Sequence, residues 1–153
     1  MKNFPKKIAE KKIFIAADHA GFLLKNLLVE EFTKLGFKLV DLGCNSAEKS
    51  VDYPDFAKKL SLKINKNSAS LGILICGSGV GISIAANRFK HIRAALCHNV
   101  KSAKLAKAHN DANVVCLGAR LIKNKSALAI AKAFLITKFE GGRHDRRVAK
   151  LSR

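Results

Sequence analysis

Aromatic and acidic residues are scarce in this sequence of 153 residues, which has no tryptophan, one tyrosine and 11 aspartates and glutamates. Proteins that recognise RNA on a sheet stack bases on aromatic side chains, and the sequence has no aromatic-rich motif of that kind. Its 29 lysines and arginines nevertheless give a net charge of +18, a balance typical of nucleic-acid-binding proteins. The lysines are scattered over the polar faces of all predicted helices, so we interpret most of them as a solvated surface. We expect no nucleic-acid partner, and a basic nucleic-acid-binding protein remains an alternative that composition alone supports.

Long apolar runs are absent as well. No stretch approaches the roughly 20 apolar residues that a membrane span needs. Residues 1–11 lack the apolar core of a secretory signal and are predicted to form a solvated leader. We therefore expect a cytoplasmic protein with no membrane partner. The hydrophobic content of 48% suits one compact domain.

Paired cysteines of the Cys-x-x-Cys type, which mark zinc and thioredoxin sites, are missing too. The four cysteines stand far apart, at positions 44, 76, 97 and 116. Cys97 and Cys116 lie in apolar runs and are predicted to be inert core thiols. A redox or regulatory α/β module would need Cys76 to cycle through oxidation, and no second cysteine is near it in sequence. We expect no metal site and keep the redox module as a further alternative.

What the sequence does contain is a short apolar run followed by a helix-period stretch, repeated five times. This alternation is typical of a parallel sheet buried on both faces. The predicted strands are Lys12 to Ala17, Phe37 to Leu42, Gly72 to Cys76, Ile92 to Cys97 and Asn113 to Leu117. The predicted helices are Phe22 to Leu35, Asp55 to Asn65, Ile82 to Arg88, Ser102 to Ala108 and Ser126 to Phe139.

The sequence therefore predicts an α/β fold: a three-layer, doubly wound (Rossmann-like) sheet of five parallel strands in a single domain, residues 12–142. Asn124 or Ser126 is predicted to cap the last helix, and Gly141-Gly142 to end it. Residues 143–153 are predicted to form a basic C-terminal arm, for which composition alone allows a disordered tail.

Ligands of such sheets bind beyond the carboxyl ends of the strands. The residues predicted to follow strand ends there are Asp18, His19, Cys76, His98, Asn99 and Arg120. Asp18 alone is equally well explained as the cap of the helix that follows it.

The segment Cys76-Gly-Ser-Gly-Val-Gly81 leaves an apolar strand and enters a helix, so it presents several backbone amides where anions and developing oxyanions are stabilised. The dinucleotide pattern Gly-x-Gly-x-x-Gly fails, because Ile82 or Ile84 stands at its last position. The Gly-Lys-Ser/Thr ending of a nucleoside-triphosphate loop is also missing. We therefore expect no cofactor.

A thiol at this strand-to-helix turn lies near the positive end of a helix dipole, which favours the thiolate as a base or nucleophile. Cys76 is thus a candidate base, although a merely buried thiol fits the same place. Ser78 is predicted to cap the helix or to relay a proton.

His109 closes the fourth predicted helix and precedes strand five, at a sheet end near or opposite the glycine turn. It can exchange a proton near neutral pH, or simply satisfy the helix dipole. Arg120, Arg143 and Arg147 each offer a planar fork to a phosphate, and the last two would share a face if the arm is helical.

Five blocks spread over almost the whole chain match one known family in order and in residue type. The blocks are Asp18-His-Ala-Gly21, Asp52-Tyr-Pro54, Gly72 to Asn87, His109-Asn-Asp111, and Glu140-Gly-Gly-Arg-His144 with Arg147. In these blocks the sequence resembles the ribose-5-phosphate isomerase type B family, which also includes galactose-6-phosphate and allose-6-phosphate isomerases. Some members have a glutamate where Ile82 stands and lack the cysteine, so the resemblance is to the cysteine branch. Two departures are the leader and Ser78, where many members have threonine.

The resemblance implies an isomerase that interconverts D-ribose 5-phosphate and D-ribulose 5-phosphate through a cis-enediol, in the non-oxidative pentose phosphate pathway and without a cofactor. An isomerase of a 6-phosphohexose is the alternative within the family. The resemblance assigns Cys76 as the base between C1 and C2, His109 as the group that opens the furanose ring and Ser78 as a proton shuttle. The implied substrate-binding residues are Asp18, His19, Tyr53, Gly77, Gly79, Val80, Gly81, Asn110, Arg120, Arg143 and Arg147. Family members are homodimers, sometimes paired into tetramers, with the site at the subunit interface.

Overall fold

The computed structural model describes residues 12–64 and 69–151 of the chain. The predicted leader, residues 1–11, lies outside the described residues, as do Asn65 and the last two residues of the arm. None of the described helices is long and apolar enough to cross a membrane.

Five parallel strands form one sheet in the order β2-β1-β3-β5-β4, which confirms the predicted α/β architecture. The strands are β1 Ile13–Ala17, β2 Leu39–Asp41, β3 Leu71–Cys76, β4 Ala94–Leu96 and β5 Val114–Gly118. The central strands match their predicted bounds within two residues. The edge strands β2 and β4 are three residues each, shorter than predicted. The flanking apolar residues lie outside the assigned strands but are buried, and Leu42 and Cys97 still donate backbone hydrogen bonds to Ile15 and Cys116; burial is what the hydrophobic pattern reports.

Helices cover both faces of the sheet. They are α1 Phe22–Lys34, α2 Tyr53–Lys63, α3 Val80–Ala86, α4 Val100–Asn110, α5 Asn124–Ile136 and α6 Asp145–Leu151, with single 3₁₀ turns at His19–Gly21 and Gly142–His144. Successive side chains of a strand point to opposite faces, so β1 contributes Ile13 and Ile15 to one core and Phe14 to the other. The first core packs against α1, α4 and α5, and the second against α2 and α3. This arrangement is the predicted three-layer fold.

Four helices begin two residues before their predicted first residues, including α4, at Val100 rather than Ser102, and α5, at Asn124 rather than Ser126. Helix α2 begins at Tyr53 rather than Asp55, with Pro54 in its first turn, where proline is well tolerated. Helix α3 begins at Val80 rather than Ile82, directly after Gly79.

The end of the chain corrects two predictions. Helix α5 begins after Lys123, and neither Asn124 nor Ser126 is its cap, since both lie inside it. It ends at Ile136 rather than Phe139, because Thr137 is extended and its hydroxyl donates to the carbonyl of Ala133 at 2.6 Å, so Gly141-Gly142 does not end it. The arm is not a disordered tail over its described part, which forms the 3₁₀ turn and α6.

Candidate active site

One group of predicted residues meets at the carboxyl edge of the sheet, where β1 and β3 lie side by side. The chain leaves β1 toward α1 on one face and β3 toward α3 on the other, so a crevice opens between the two strand ends. A cavity of about 310 Å³ lies there. Its lining consists of Asp18, Tyr53, Cys76, Gly77, Ser78, Gly81, Arg120 and Leu121. We call this group the thiol half of the site.

The turn after β3 holds the sulfur of Cys76 against the backbone. Gly79 adopts φ 78°, and a Cβ there would lie 2.5 Å from the side chain of Leu96, so only glycine fits. This conformation lets the amide of Gly79 donate to Sγ of Cys76 at 3.1 Å. An amide that donates to sulfur stabilises negative charge on it. Cys76 is 4% exposed, so the sulfur reaches the cavity from the end of a buried strand.

The other members of the thiol half are fixed around this sulfur. The ring of Tyr53 lies over Gly81, where a Cβ would come within 2.6 Å of it. A guanidinium nitrogen of Arg120 lies 3.3 Å from where a Cβ on Gly77 would be. The hydroxyl of Ser78 accepts from the amide of Val80 at 3.2 Å, but the N-cap of α3 is Gly79, so Ser78 is not the predicted cap.

Asp18 and His19 begin the turn after β1. Asp18 is buried, and its carboxylate accepts from the amide of Gly21 at 3.0 Å, which is the predicted capping role. Asp18 also lines the cavity, so the capping role and a ligand role coexist. Nδ1 of His19 accepts from the amide of Val51 at 3.2 Å, so in a neutral ring the proton is on Nε2, which is left to donate.

A second group lies at the opposite, amino edge of the sheet. Helix α4 runs back against the strands, and His109 is its penultimate residue. Four residues later the amide of Asn113 donates to the carbonyl of Arg93, just before β4. Cys76 pairs in register with Gly118 at the far end of β5. The four steps from Val114 to Gly118 span about 13 Å, so His109 and Cys76 lie toward opposite ends of the strands within one chain.

The C-terminal arm packs onto the end of α4 beside His109. The amide of Glu140 donates to the carbonyl of Ala108 at 3.0 Å. The ring of His144 stacks on that of His109, with centroids 4.3 Å apart and 9° between the planes. One carboxylate oxygen of Glu140 lies 3.5 Å from Nε2 of His109 and 3.8 Å from Nε2 of His144. We call His109, Glu140 and His144 the histidine cluster.

Burial lowers the pKa of His144, and the nearby His109 and Arg143 lower it further. Arg147 acts in the same direction, while Glu140 opposes it. These contacts favour the neutral ring of His144. These electrostatic contacts also place Arg143 and Arg147 near the histidine cluster.

The predicted site residues thus fall into two sets. The thiol half gathers Asp18, Tyr53, Cys76, Gly77, Ser78, Gly81 and Arg120, with His19, Gly79 and Val80 beside them. His109, Asn110, Arg143 and Arg147 lie at the other edge, and Asn110 lines a separate hollow of about 350 Å³ together with Arg93 and Leu151. Glu140 and His144 were not predicted as site residues. The signal for them was present, since both belong to the Glu140 to His144 block and stand four residues apart.

The other cysteines bear on the redox alternative. Burial raises the pKa of both Cys97 and Cys116, and both are almost fully buried, which confirms their predicted place in the core. Cys116 lies on the same face as Cys76, but it pairs with Leu74, two residues earlier on β3. Strand spacing puts the Cα atoms of Cys76 and Cys116 about 8 Å apart, beyond the reach of an unstrained disulfide. Cys116 is therefore poorly placed to resolve an oxidised Cys76.

Comparisons with known proteins all indicate one family. The model of a family described as ribose/galactose isomerase matches residues 13–151. A putative sugar phosphate isomerase of Rickettsia bellii is 50% identical over 139 residues, covering 91% of this chain and 96% of the relative. The ribose-5-phosphate isomerase B of Escherichia coli is 43% identical over 142 residues, covering 93% of this chain and 95% of the relative. A crystal structure of ribose-5-phosphate isomerase B from Mycoplasma genitalium with bound ribulose-5-phosphate superimposes with a TM-score of 0.90 at 46% identity, covering 94% of this chain and 95% of that one.

Proposed function

We propose, because the chain belongs to the ribose/galactose isomerase family, that it interconverts D-ribose 5-phosphate and D-ribulose 5-phosphate. The observation that carries the proposal is the cavity between the ends of β1 and β3, where the sulfur of Cys76 meets a turn rich in backbone amides. The likeness to a relative whose structure holds ribulose-5-phosphate supports the choice of substrate. A cytoplasmic location is part of the proposal.

Cys76 acts as the base of the isomerisation. Its thiolate takes the proton from C2 of the open-chain aldose, and the electron pair moves onto the carbonyl oxygen to give a cis-enediolate. The hydroxyl proton on O2 then passes to O1, and return of the proton from Cys76 to C1 gives the ketose, so no electrons leave the substrate and no redox partner is needed. The oxygen on which negative charge develops is held by amides of the turn from residue 77 to 81 other than those of Gly79 and Val80, which already donate to Cys76 and Ser78. Ser78 transfers hydroxyl protons beside this oxygen, and Asp18 binds a sugar hydroxyl.

His109 opens the furanose ring, but its own chain holds it at the wrong edge of the sheet. We therefore place His109 and Asn110 of a second copy over the thiol half, in a homodimer with two equivalent sites. The exposed apolar side chains beside the cavity support this face as the contact. Val80 is 45% exposed and Ile84 61%, both on α3, and Tyr53 is 39% exposed. A tetramer would be two such dimers.

The arginines bind the phosphate end of the sugar from both copies. Arg120 lies in the thiol half, whereas Arg143 and Arg147 come with the histidine cluster of the second copy. Planar guanidinium groups match phosphate oxygens in pairs, and three of them around one phosphate would fix the length of sugar that reaches Cys76.

The test is isomerisation of ribose 5-phosphate by the purified protein with a chelator present. Cys76→Ala should lower kcat by about 1,000-fold, because it removes the base. Cys97→Ala is the matched control, since it removes a buried thiol on the other face of the sheet. Circular dichroism of both variants checks folding. Full activity in Cys76→Ala would overturn the assigned mechanism, and a higher kcat/KM on a 6-phosphohexose would move the substrate to the six-carbon branch.

A further inference from the structure

The histidine cluster brings three metal-ligating side chains together at the amino edge. One ligand atom from each of His109, Glu140 and His144 lies within 4.8 Å of the others. Two imidazole nitrogens and a carboxylate oxygen are a donor set that zinc takes in proteins, with the fourth position left to water.

The distances are close to those that a zinc ion requires. Zinc bonds of about 2.1 Å in a tetrahedron put neighbouring ligand atoms about 3.4 Å apart. The carboxylate oxygen of Glu140 is already 3.5 Å from one ring nitrogen and 3.8 Å from the other. The two rings are nearly parallel, so they must tilt toward a common point. His109 is 34% exposed at its side chain and Glu140 59%, which leaves both free to make that adjustment.

The backbone holds the cluster in place before any ion arrives. Glu140 is tied to the end of α4 through its amide, and the amide of His144 donates to the carbonyl of Gly141 at 3.1 Å. Gly141 and Gly142 turn the chain between the two ligands with φ angles of 68° and 58°. A preformed geometry of this kind lowers the cost of ordering the ligands. Arg143 and Arg147 nearby act against a cation and limit its affinity.

We propose that His109, Glu140 and His144 form a binding site for zinc and similar divalent transition metals, and that the metal inhibits the isomerase. The inhibition rests on the proposed function: the metal would occupy the lone pair of His109 that ring opening requires. The ion and the cyclic sugar phosphate would therefore exclude one another. The metal takes no part in the reaction itself.

Direct binding tests the site without any sugar. Calorimetric titration of the whole protein with ZnCl₂ in a non-chelating buffer should show one ion per chain, and Co²⁺ in its place should give the visible absorption of a tetrahedral site. Glu140→Gln and His144→Asn should each weaken zinc binding by about 10-fold or more. Glu48→Gln and His98→Asn, which remove the same residue types outside the cluster, are the matched controls and should bind as the wild type does.

Cys76→Ala separates the cluster from the thiol, which is also a good zinc ligand. It should bind zinc like the wild type. Zinc binding that is unchanged in Glu140→Gln, or lost only in Cys76→Ala, would overturn the site.

Activity assays then test inhibition. Zinc should inhibit the wild type, EDTA should reverse it, and the concentration needed should rise by about 10-fold in Glu140→Gln. A chain that binds zinc at the cluster without losing activity would refute the inhibition. A chain with no isomerase activity on any sugar phosphate would refute the proposed function, while the calorimetry would still report on the metal site.

Discussion

The two edges of the sheet are built differently. The carboxyl edge, with Cys76, is made from strand ends and a glycine turn whose shape is set by sheet register and by the φ of Gly79. The amino edge, with His109, is made from a helix end and an arm that returns from the end of the chain to stack His144 on it. The first is a cavity at a glycine-rich turn. The second is a partly exposed group of charged and aromatic side chains.

This difference separates two tasks. Backbone amides fixed in a turn stabilise charge at one place and need little reorganisation, which suits proton transfer at carbon. Side chains on a helix end and an arm can project toward another molecule, which suits closing a site that a neighbouring copy supplies. In the proposed homodimer each edge holds half of a site, and the symmetric pair of chains makes two complete ones.

Subunit complementation is the most direct test of whether the two edges meet in one site. Cys76→Ala and His109→Gln should each lose activity by about 100-fold or more as homodimers. A heterodimer of the two, co-expressed with different tags and purified through both, contains one site with both residues intact. It should recover about half of the wild-type rate.

The matched control pairs Cys76→Ala with Asp18→Ala, both in the thiol half, so that neither site of the heterodimer is intact. That mixture should stay inactive. Equal recovery in both mixtures, or in neither, would mean that the two edges do not meet across an interface.

The arm provides a smaller test of the same comparison. Arg147→Ala should raise KM for ribose 5-phosphate by about 10-fold with a smaller effect on kcat, because phosphate binding is made in the ground state as well as in the transition state. Arg146→Ala changes the neighbouring residue of the same helix and should leave KM near the wild-type value. Equal effects of the two substitutions would indicate a general charge effect rather than a phosphate ligand.

The sequence predicted the carboxyl edge well and the amino edge poorly, for physical reasons. Strand ends follow from apolar runs, and parallel strands bring their carboxyl ends to one edge, so Cys76 and Asp18 could be placed together. The sequence does not fix the position of His109 relative to the glycine turn, because helix period alone does not place a helix end against the sheet. The contact between His144 and His109 depends on where an arm folds back, and local pattern carries little information on that. The residue types in the Glu140 to His144 block indicated a functional segment, without showing which side chains it contacts.

The smallest expected effect is a loss of stability at low pH, which should come from the amino edge and not from the carboxyl edge. The pKa of His144 is lowered by burial and by the positive groups around it, so the folded chain prefers the neutral ring. The stability this contributes is fully present above the ordinary histidine pKa of about 6.5 and is lost as pH falls below that value. The wild type should therefore lose more stability to urea between pH 7.5 and pH 5 than His144→Asn does. His98→Asn, a histidine change at the carboxyl edge, should follow the wild type. An equal loss of stability in His144→Asn and the wild type would mean that proton uptake at the stacked rings does not couple to folding. The contact between the arm and α4 would then be weaker than its packing indicates.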